Sequence, residues 1–309
     1  MPSLLGSTKV QRGKLIVAAL LHSLKDTRGF NLMIRLLYLL IFNLCVTLLS
    51  LPAYGTAAHL SSKLRFCVED TEYPPFNYFV RLNGMKTTEL GGYDIDLLAR
   101  TFKPIGINYE VVALPWRRCL KDVLDGNIDG AMSASLDPQR MRDYIPSDAY
   151  YYLTPSYFYL TADFGLQFHV DDINQLAKFG TVCGINGFNY TNFGWRKDTP
   201  ISEISSLRIL PQMLIKHRCH FFLARRQIVA GTLALNHDGP MPSSLTSTPS
   251  PTNLQEPFYM LISKRSPESA LIKKEFNYRV KQLRDTKQLE ALFQAHLQKL
   301  VNQDDKRKK

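Results

Sequence analysis

The stretch Gly130–Tyr150, GAMSASLDPQRMRDYIPSDAY, decides the fold because it changes from a strand pattern to a helix pattern within a few residues. Residues 128–134 are small and apolar enough for a buried strand. Asp137 followed by Pro138 is the usual sequence of a helix N-cap and a first helical residue. The chain therefore turns sharply from a strand into a helix at this point.

Polar residues cluster at this turn. Ser133 and Ser135 lie at the exit of the strand, and Arg140 falls in the first helical turn, where the helix dipole disfavours a cation by some tenths of a kcal/mol. A bound anion would offset that cost, because hydroxyls, backbone N–H groups and a guanidinium would converge on it. The alternative is that Arg140 and Arg142 both extend into solvent.

Length and charge set limits on the kind of protein. A chain of 309 residues with 45% hydrophobic composition can bury two ordinary cores, which predicts two lobes. The net charge of +11 is concentrated at the ends, since residues 1–57 carry six Lys/Arg against one acid and residues 306–309 carry four more. No basic stripe interleaved with aromatics lies between them, so nucleic-acid binding is disfavoured.

The N-terminal part has the pattern of an export signal. The apolar run Leu36–Pro52 follows a short basic region and ends in small residues at 53–58, at the spacing that a signal peptidase reads. The run is shorter than the ~20 residues of a membrane helix, which leaves an uncleaved anchor as the alternative. Met33 is a possible initiator because it lies directly before the basic residue and the apolar run. The sequence therefore predicts an exported protein.

The first half of the mature chain alternates strands and helices. The loop Glu69–Phe79 holds two prolines and four aromatics, which exclude a helix interior and suit either the wall of a ligand pocket or a lid over the core. Asp94 and Asp96 are assigned a capping role in the helix after this loop rather than paired-acid catalysis. The predicted elements are strands at Leu64–Val68 and Tyr109–Leu114 and helices starting near Gly92 and Pro115.

A second α/β set follows a tyrosine-rich connection at Tyr150–Leu160. Pro240–Pro251 is rich in Ser, Thr and Pro, which predicts a mobile loop. The other predicted elements are strands at Phe179–Gly184, Cys219–Ala224 and Phe258–Ser263, a helix at Pro211–Lys216, and one or two amphipathic helices over Pro267–Val301.

No recognisable catalytic or metal-binding motif accompanies these elements. None of the seven histidines lies in a Ser, Cys or carboxylate motif of known spacing. The four cysteines of the mature chain lack C-x-x-C spacing, and their even number favours disulfides in an exported protein. The sequence therefore predicts no catalytic residues, no cofactor and no metal.

Taken in order, the motifs resemble the family 3 extracellular solute-binding proteins, the periplasmic amino-acid receptors of ABC transporters. The resemblance covers about residues 63–300, and it implies an α/β fold of the type II periplasmic-binding architecture, with two lobes, two crossovers and a ligand cleft. The motifs are Asp70-x-x-Tyr73-x-Pro75-Phe76, Gly92-Tyr93-Asp94-Ile95-Asp96-Leu97, Pro115-Trp116, Gly126-x-x-Asp129, Ser133-x-Ser135 with Arg140, and Gly184-x-x-Gly187.

The resemblance also implies which residues bind the ligand. In the family the Ser-x-Ser and the arginine hold the ligand's carboxylate, a loop tyrosine stacks on its side chain, and a glycine turn of the second lobe adds backbone donors. Carried to this sequence, the ligand-binding residues are Asp70, Tyr73, Phe76, Trp116, Ser133, Ser135, Arg140, Gly187, Phe188 and Asn189.

One position departs from the family. Arg225 stands where the family has an aspartate that pairs with the ligand's ammonium. Two guanidiniums facing one cleft would repel, and an anion between them would resolve the repulsion, which predicts an acidic or dicarboxylate solute. The alternative is that Arg225 points outward into water.

Two lobes that open and close limit how the cysteines can pair. A disulfide between lobes would lock the cleft, so we expect Cys67 to pair with Cys119 and Cys183 with Cys219, each within one lobe. The expected segments are an extension and signal peptide at 1–57, the first lobe at 58–154, the second at 155–256, a return at 257–301 and a polar tail at 302–309.

The resemblance leaves three functions open. The leading one is a monomeric receptor that binds a small molecule and delivers it to an ABC permease. A sensor that presents the bound lobes to a membrane partner needs the same cleft. A dehydratase-like enzyme on the same two-lobe scaffold is the third, because a fold does not fix a function.

We predict that the exported protein is cleaved near residues 55–58, after the small residues that follow the apolar run. N-terminal sequencing of the protein recovered from the periplasm checks this. Soluble mature protein that still carries residues 33–55 would contradict it.

Overall fold

The structure is a computed structural model that describes residues 63–236, 242–252 and 255–305, with side chains described as far as residue 300. The predicted signal peptide, the possible initiator Met33 and the end of the polar tail lie outside these residues.

Strands and helices alternate through most of the described chain. The strands are β1 (Leu64–Glu69), β2 (Tyr78–Leu82), β3 (Met85–Gly91), β4 (Tyr109–Leu114), β5 (Gly130–Ala134), β6 (Tyr144–Pro146), β7 (Tyr151–Leu153), β8 (Pro155–Leu160), β9 (Val182–Ile185), β10 (Ser202–Ile204), β11 (Phe221–Arg225), β12 (Leu245–Pro249) and β13 (Glu256–Ser263). The helices are α1 (Tyr93–Phe102), α2 (Trp116–Asp125), α3 (Pro138–Asp143), α4 (Thr161–Phe164), α5 (Leu176–Phe179), α6 (Leu210–Ile215), α7 (Arg226–Leu235), α8 (Ser269–Asp285) and α9 (Gln288–Asp305).

Two separate sheets form two lobes. The first sheet has the order β4-β1-β5-β13-β6, with β1 parallel to β4 and β5, and with β13 antiparallel to β5 and β6. The second has the order β10-β9-β11-β8-β12, with β9 parallel to β10 and β11, and with β8 antiparallel to β11 and β12. The parallel strands of each lobe place their carboxyl ends along one edge, where ligands of α/β sheets bind.

The chain crosses between the lobes twice, from β7 to β8 and from β12 to β13. The two crossings lie side by side, because Glu256 at the start of β13 pairs with Leu153 at the end of β7. The two-lobe α/β fold with two crossovers is therefore confirmed. The lobe limits at 58–154, 155–256 and 257–301 stay predictions.

Apolar residues on the strand and helix faces form a core in each lobe. In the first lobe Phe66 of β1 stacks on Phe102 of α1 at 5.3 Å between ring centroids. Helix α8 presents Ile272, Phe276 and Val280 to this core, at the spacing of one helical face. The second core lies around β9 and β11, beneath α6 and α7.

The prediction of a mobile loop at Pro240–Pro251 is wrong over residues 245–249. These residues form β12, which pairs with β8 from Leu245↔Leu160 to Pro249↔Ser156. The β-branched Thr246 and Thr248 suit a strand, and β12 lies at the edge of its sheet, where a proline at the end is tolerated. Because the whole segment is rich in Ser, Thr and Pro, its composition predicted a loop although residues 245–249 favour a strand.

The predicted disulfides are confirmed. Cys67 of β1 bonds Cys119 of α2, and Cys183 of β9 bonds Cys219 just before β11. The pairs are separated by 52 and 36 residues, so each contributes about 4 kcal/mol to the free energy of unfolding in the chain-entropy model. The first bond lies within the first lobe and the second bond within the second lobe, so neither prevents the lobes from separating.

Among the helices described, none combines the length and the apolar character needed to cross a bilayer.

Candidate ligand-binding site

A small cavity lies between the lobes where the carboxyl ends of the two sheets meet. Glu69 and Ser133 reach it from the ends of β1 and β5, and Arg225 reaches it from the end of β11. The cavity leaves about 20 Å³ open to a water molecule, which is the space of about one water. Its lining consists of Glu69, Tyr73, Asn77, Trp116, Met132, Ser133, Ser135, Arg140, Phe188, Asn189, Arg225 and Phe258.

The structure brings eight of the eleven residues predicted to bind ligand to this cavity and leaves three outside its lining. Phe76 is fully buried behind Tyr73 and stacks on Tyr151. Gly187 lines a larger neighbouring cleft instead. Asp70 is half-buried just beyond β1. The eight that line the cavity are Tyr73, Trp116, Ser133, Ser135, Arg140, Phe188, Asn189 and Arg225. Their roles in binding stay predictions.

Arg140 is held in the cavity by the start of α3. The predicted cap is confirmed, because the Asp137 carboxylate accepts a hydrogen bond from the Arg140 backbone N–H at 2.8 Å. The guanidinium donates to the Ser135 carbonyl at 2.8 Å and, across the cleft, to the Gly187 carbonyl at 3.3 Å. Arg140 is 8% exposed, whereas Arg142 on the same helix is exposed. The alternative that both arginines extend into solvent is therefore wrong for Arg140.

Asp94 does not cap α1, contrary to the prediction; Gly92 is the N-cap residue and no side chain caps the helix. The Asp94 carboxylate is fully buried and accepts hydrogen bonds from Asn77 at 2.9 Å, Ser133 at 2.6 Å and Tyr150 at 2.8 Å. Burial raises the pKa of Asp94, and the three hydrogen bonds oppose that rise. Asp96 does not cap the helix either; its Oδ2 lies 3.0 Å from Nε2 of His296.

The two serines differ in what they can offer a ligand. The Ser133 hydroxyl gives its one proton to Asp94, and its backbone has a φ of 60°. The Ser135 hydroxyl instead accepts from Arg140 at 3.4 Å and from Asn189 at 3.3 Å. Because a hydroxyl donates one hydrogen bond, Ser135 is the serine that can donate to an anion beside Arg140.

Arg225 faces inward, so the alternative that it points outward into water is wrong. It is paired with Glu256 and is not the free cation on which the acidic or dicarboxylate prediction rested, and that ligand stays a prediction. Its guanidinium binds Glu256 through two 2.8 Å hydrogen bonds and donates to the Asn189 carbonyl at 2.8 Å. Arg225 is 3% exposed, and four aromatic rings surround its guanidinium at 4.8–5.9 Å. Burial disfavours its charge, but the Glu256 carboxylate keeps the pKa of Arg225 above its ordinary value. Arg225 is thus no uncompensated cation.

Four residues that line the cavity were not predicted from the sequence: Glu69, Asn77, Met132 and Phe258. Glu69 is the charged one. It is 8% exposed, and its Oε1 accepts from the Thr71 backbone N–H at 3.3 Å and the Thr71 hydroxyl at 3.1 Å. Burial raises the pKa of Glu69 to about 7, and the neighbouring Asp70 adds to the rise. The sequence did contain a signal for Glu69: it is an acidic residue at the end of the first predicted strand, next to Asp70 of the family motif.

A larger cleft of about 590 Å³ adjoins the cavity. Arg140, Phe188 and Asn189 line both spaces and so separate them. At the rim of this cleft Arg117 of the first lobe forms a 3.0 Å ion pair with Glu203 of the second. The Asn189 amide also crosses the cleft to the Leu136 carbonyl at 3.0 Å. These contacts, with that of Arg140 to Gly187, join the two lobes beside the cavity.

No group of three or more His, Cys, Asp or Glu side chains able to hold a metal ion occurs in the part of the chain that the structure describes. The cavity instead presents a guanidinium, a buried carboxyl, amides and aromatic rings, which are groups for binding a small polar solute.

Comparison with known proteins gives a family and a fold. The model of the family described as bacterial extracellular solute-binding proteins, family 3, matches residues 64–299. No curated protein matches the sequence.

Solved structures resemble the chain at low identity. An amino acid ABC transporter substrate-binding protein from Streptococcus pneumoniae, bound to L-arginine, has a TM-score of 0.62 at 15% identity, covering 77% of this chain and 96% of that one. The arginine-, lysine-, histidine-binding protein ArtJ from Geobacillus stearothermophilus has a TM-score of 0.58 at 17% identity, covering 76% and 94%. An ancestral amino-acid-binding protein described as a precursor of cyclohexadienyl dehydratase has 0.58 at 18%, covering 75% and 94%. The type II two-lobe fold is confirmed.

We predict that Glu256→Gln lowers the free energy of unfolding by about 3–5 kcal/mol, because it leaves the buried Arg225 charge without its partner. Urea denaturation measures the change. Glu203→Gln is the matched control, since it breaks an exposed ion pair with Arg117 and should cost less than about 1 kcal/mol.

Adding Arg225→Met to Glu256→Gln should recover part of the loss, because it removes the unpaired charge. If Glu256→Gln lowers the free energy of unfolding no more than Glu203→Gln does, the prediction is wrong and the buried pair is not important for stability.

Proposed function

The chain belongs to the bacterial extracellular solute-binding proteins of family 3, and we propose that it binds a small amino-acid-like solute between its lobes. The observation that carries the proposal is the position of the Arg140 guanidinium, buried in the cavity between the two lobes. Its hydrogen bonds to the neutral Ser135 and Gly187 carbonyls are ones that a carboxylate can replace with stronger bonds between two charged groups.

Binding requires the lobes to move. The cavity is far smaller than an amino acid, so a solute enters only when the contacts across the cleft open. Arg140 and Ser135 belong to the first lobe and receive the carboxylate first. Closure then brings Phe188 and Asn189 of the second lobe onto the solute, in the hinge motion common to two-lobe binding proteins.

The charges of the cavity favour a zwitterion over a dicarboxylate. The dicarboxylate expectation depended on Arg225 as a second free cation, and Glu256 neutralises that charge. Arg140 and Glu69 remain as one cation and one acid. Structural neighbours whose names specify arginine, lysine or histidine support an amino acid as the ligand class.

We place the protein in the periplasm, where it delivers the solute to an ABC permease. Membership in an extracellular family and the apolar run with its small-residue end support this location. A membrane sensor would use the same cleft. The specific observation that favours a dehydratase is Glu69, since a carboxyl whose pKa burial raises to about 7 suits proton transfer.

Calorimetry with a panel of L-amino acids tests the proposal. Wild type should bind at least one of them, and Arg140→Ala should weaken that binding by about 100-fold, because two charge-assisted hydrogen bonds are lost. Arg142→Ala, which removes an exposed arginine of the same helix, is the matched control and should bind as wild type does.

Mass spectrometry of the solute recovered after binding should find it unchanged. Equal affinity in wild type and Arg140→Ala would contradict the carboxylate site. Multiple turnover of an unsaturated cyclic carboxylic acid would show that the protein is a dehydratase-like enzyme rather than a receptor.

A further inference from the structure

We infer, as an extension of the proposed function, that Glu69 binds the positively charged group of the solute. Both charged ends of an amino-acid-like ligand would then be held by the first lobe, its carboxylate by Arg140 and its ammonium by Glu69. This makes Glu69 a specificity residue that distinguishes amino acids from simple carboxylic acids.

The geometry of Glu69 suits this role. As the last residue of β1 it projects from the same sheet edge as Ser133 and Trp116 and lines the cavity with them. Thr71 holds one oxygen, Oε1, through two hydrogen bonds and so fixes the side chain. A carboxylate has about four acceptor positions on its two oxygens, so Glu69 can accept from an ammonium while Thr71 holds Oε1.

Other acids near the cavity are already used. Both oxygens of Glu256 accept hydrogen bonds, from Arg225 and from Asn192 at 2.9 Å. Asp94 accepts three and is fully buried. Asp137 caps α3. Among the described residues that line the cavity, Glu69 is the one acid.

Arg225 explains why the positive group would turn toward the first lobe. The position that the family resemblance assigns to an ammonium-binding aspartate holds a guanidinium here, fixed by Glu256 and by the Asn189 carbonyl. A ligand ammonium placed there would meet a cation among aromatic rings. At the opposite wall it meets Glu69, whose charge an ammonium compensates on burial.

Neighbouring charges bear on Glu69 from several elements. Asp70 follows it on the chain and disfavours its ionisation, whereas the two hydrogen bonds from Thr71 favour it. Arg140 lines the same cavity as a cation. An arriving ammonium places a positive charge beside the Glu69 carboxyl and so favours its ionised form.

Calorimetry with matched probes tests the inference. The probes are the L-amino acid of the panel that binds wild type most tightly and the carboxylic acid with the same side chain but no amino group. Wild type should prefer the amino acid. Glu69→Gln should bind the amino acid about tenfold or more weakly, as when one hydrogen bond to a charged group is lost, and should bind the deaminated acid as wild type does.

Two further variants sharpen the test. Glu69→Asp keeps the charge and shortens the reach, so the amino acid should lose less affinity than in Glu69→Gln. Asp70→Asn compares the neighbouring acid, which lies outside the cavity lining, and should also cost less than Glu69→Gln. Melting temperatures of all variants show that each is folded.

The outcomes distinguish a failure of the Glu69 role from a failure of the proposed function. Equal losses for both probes in Glu69→Gln, or a larger loss in Asp70→Asn, would overturn the role of Glu69 while leaving carboxylate binding by Arg140 intact. If wild type binds no amino acid of the panel, the proposed function fails and the inference fails with it.

Discussion

The buried ion pair between Arg225 and Glu256 is the interaction on which the site depends. It joins the end of β11, in the second lobe, to the first residue of β13, where the chain crosses back to the first lobe. Glu256 also pairs with Leu153 on the other crossing. The same guanidinium fixes the Asn189 carbonyl, and the Asn189 side chain reaches the Leu136 carbonyl across the cleft. This buried pair thus ties both connections to the wall of the cavity. Its desolvation cost is offset by the two hydrogen bonds within the pair and by the bonds to Asn189 and Asn192.

In the proposed function, this pair determines what each lobe contributes to ligand binding. The second lobe contributes a neutral, aromatic wall, since its one buried cation at the cavity is compensated. The first lobe contributes Arg140 and Glu69, and it fixes the strand exit between them through the Asp94 network. Asn77 comes from the aromatic loop, Ser133 from β5 and Tyr150 from the approach to the crossing, so three distant segments meet on one buried carboxylate. A rigid first lobe can therefore accept a solute before the second lobe closes on it.

The sequence predicted those features that depend on local pattern. Strand β4 was placed at its observed bounds, the α3 cap was read from Asp137-Pro138, and the two disulfides followed from assigning cysteines to lobes. Features that depend on distant partners were not predictable. Glu256 lies 31 residues from Arg225, so nothing near Arg225 showed that its charge is compensated. Asp94 has the position of a capping residue, yet its partners Ser133 and Tyr150 lie 39 and 56 residues away. Strand β12 was hidden because pairing with β8, rather than composition, decides its structure.

A crystal structure of the complex with the tightest-binding amino acid would show where the two charged groups of the ligand lie. We expect the ligand's carboxylate on the Arg140 guanidinium and its ammonium about 2.7–3.2 Å from a Glu69 oxygen. We also expect the Arg225–Glu256 pair to stay intact. An ammonium bound to Glu256, with Arg225 displaced from its aromatic surroundings, would contradict this expectation.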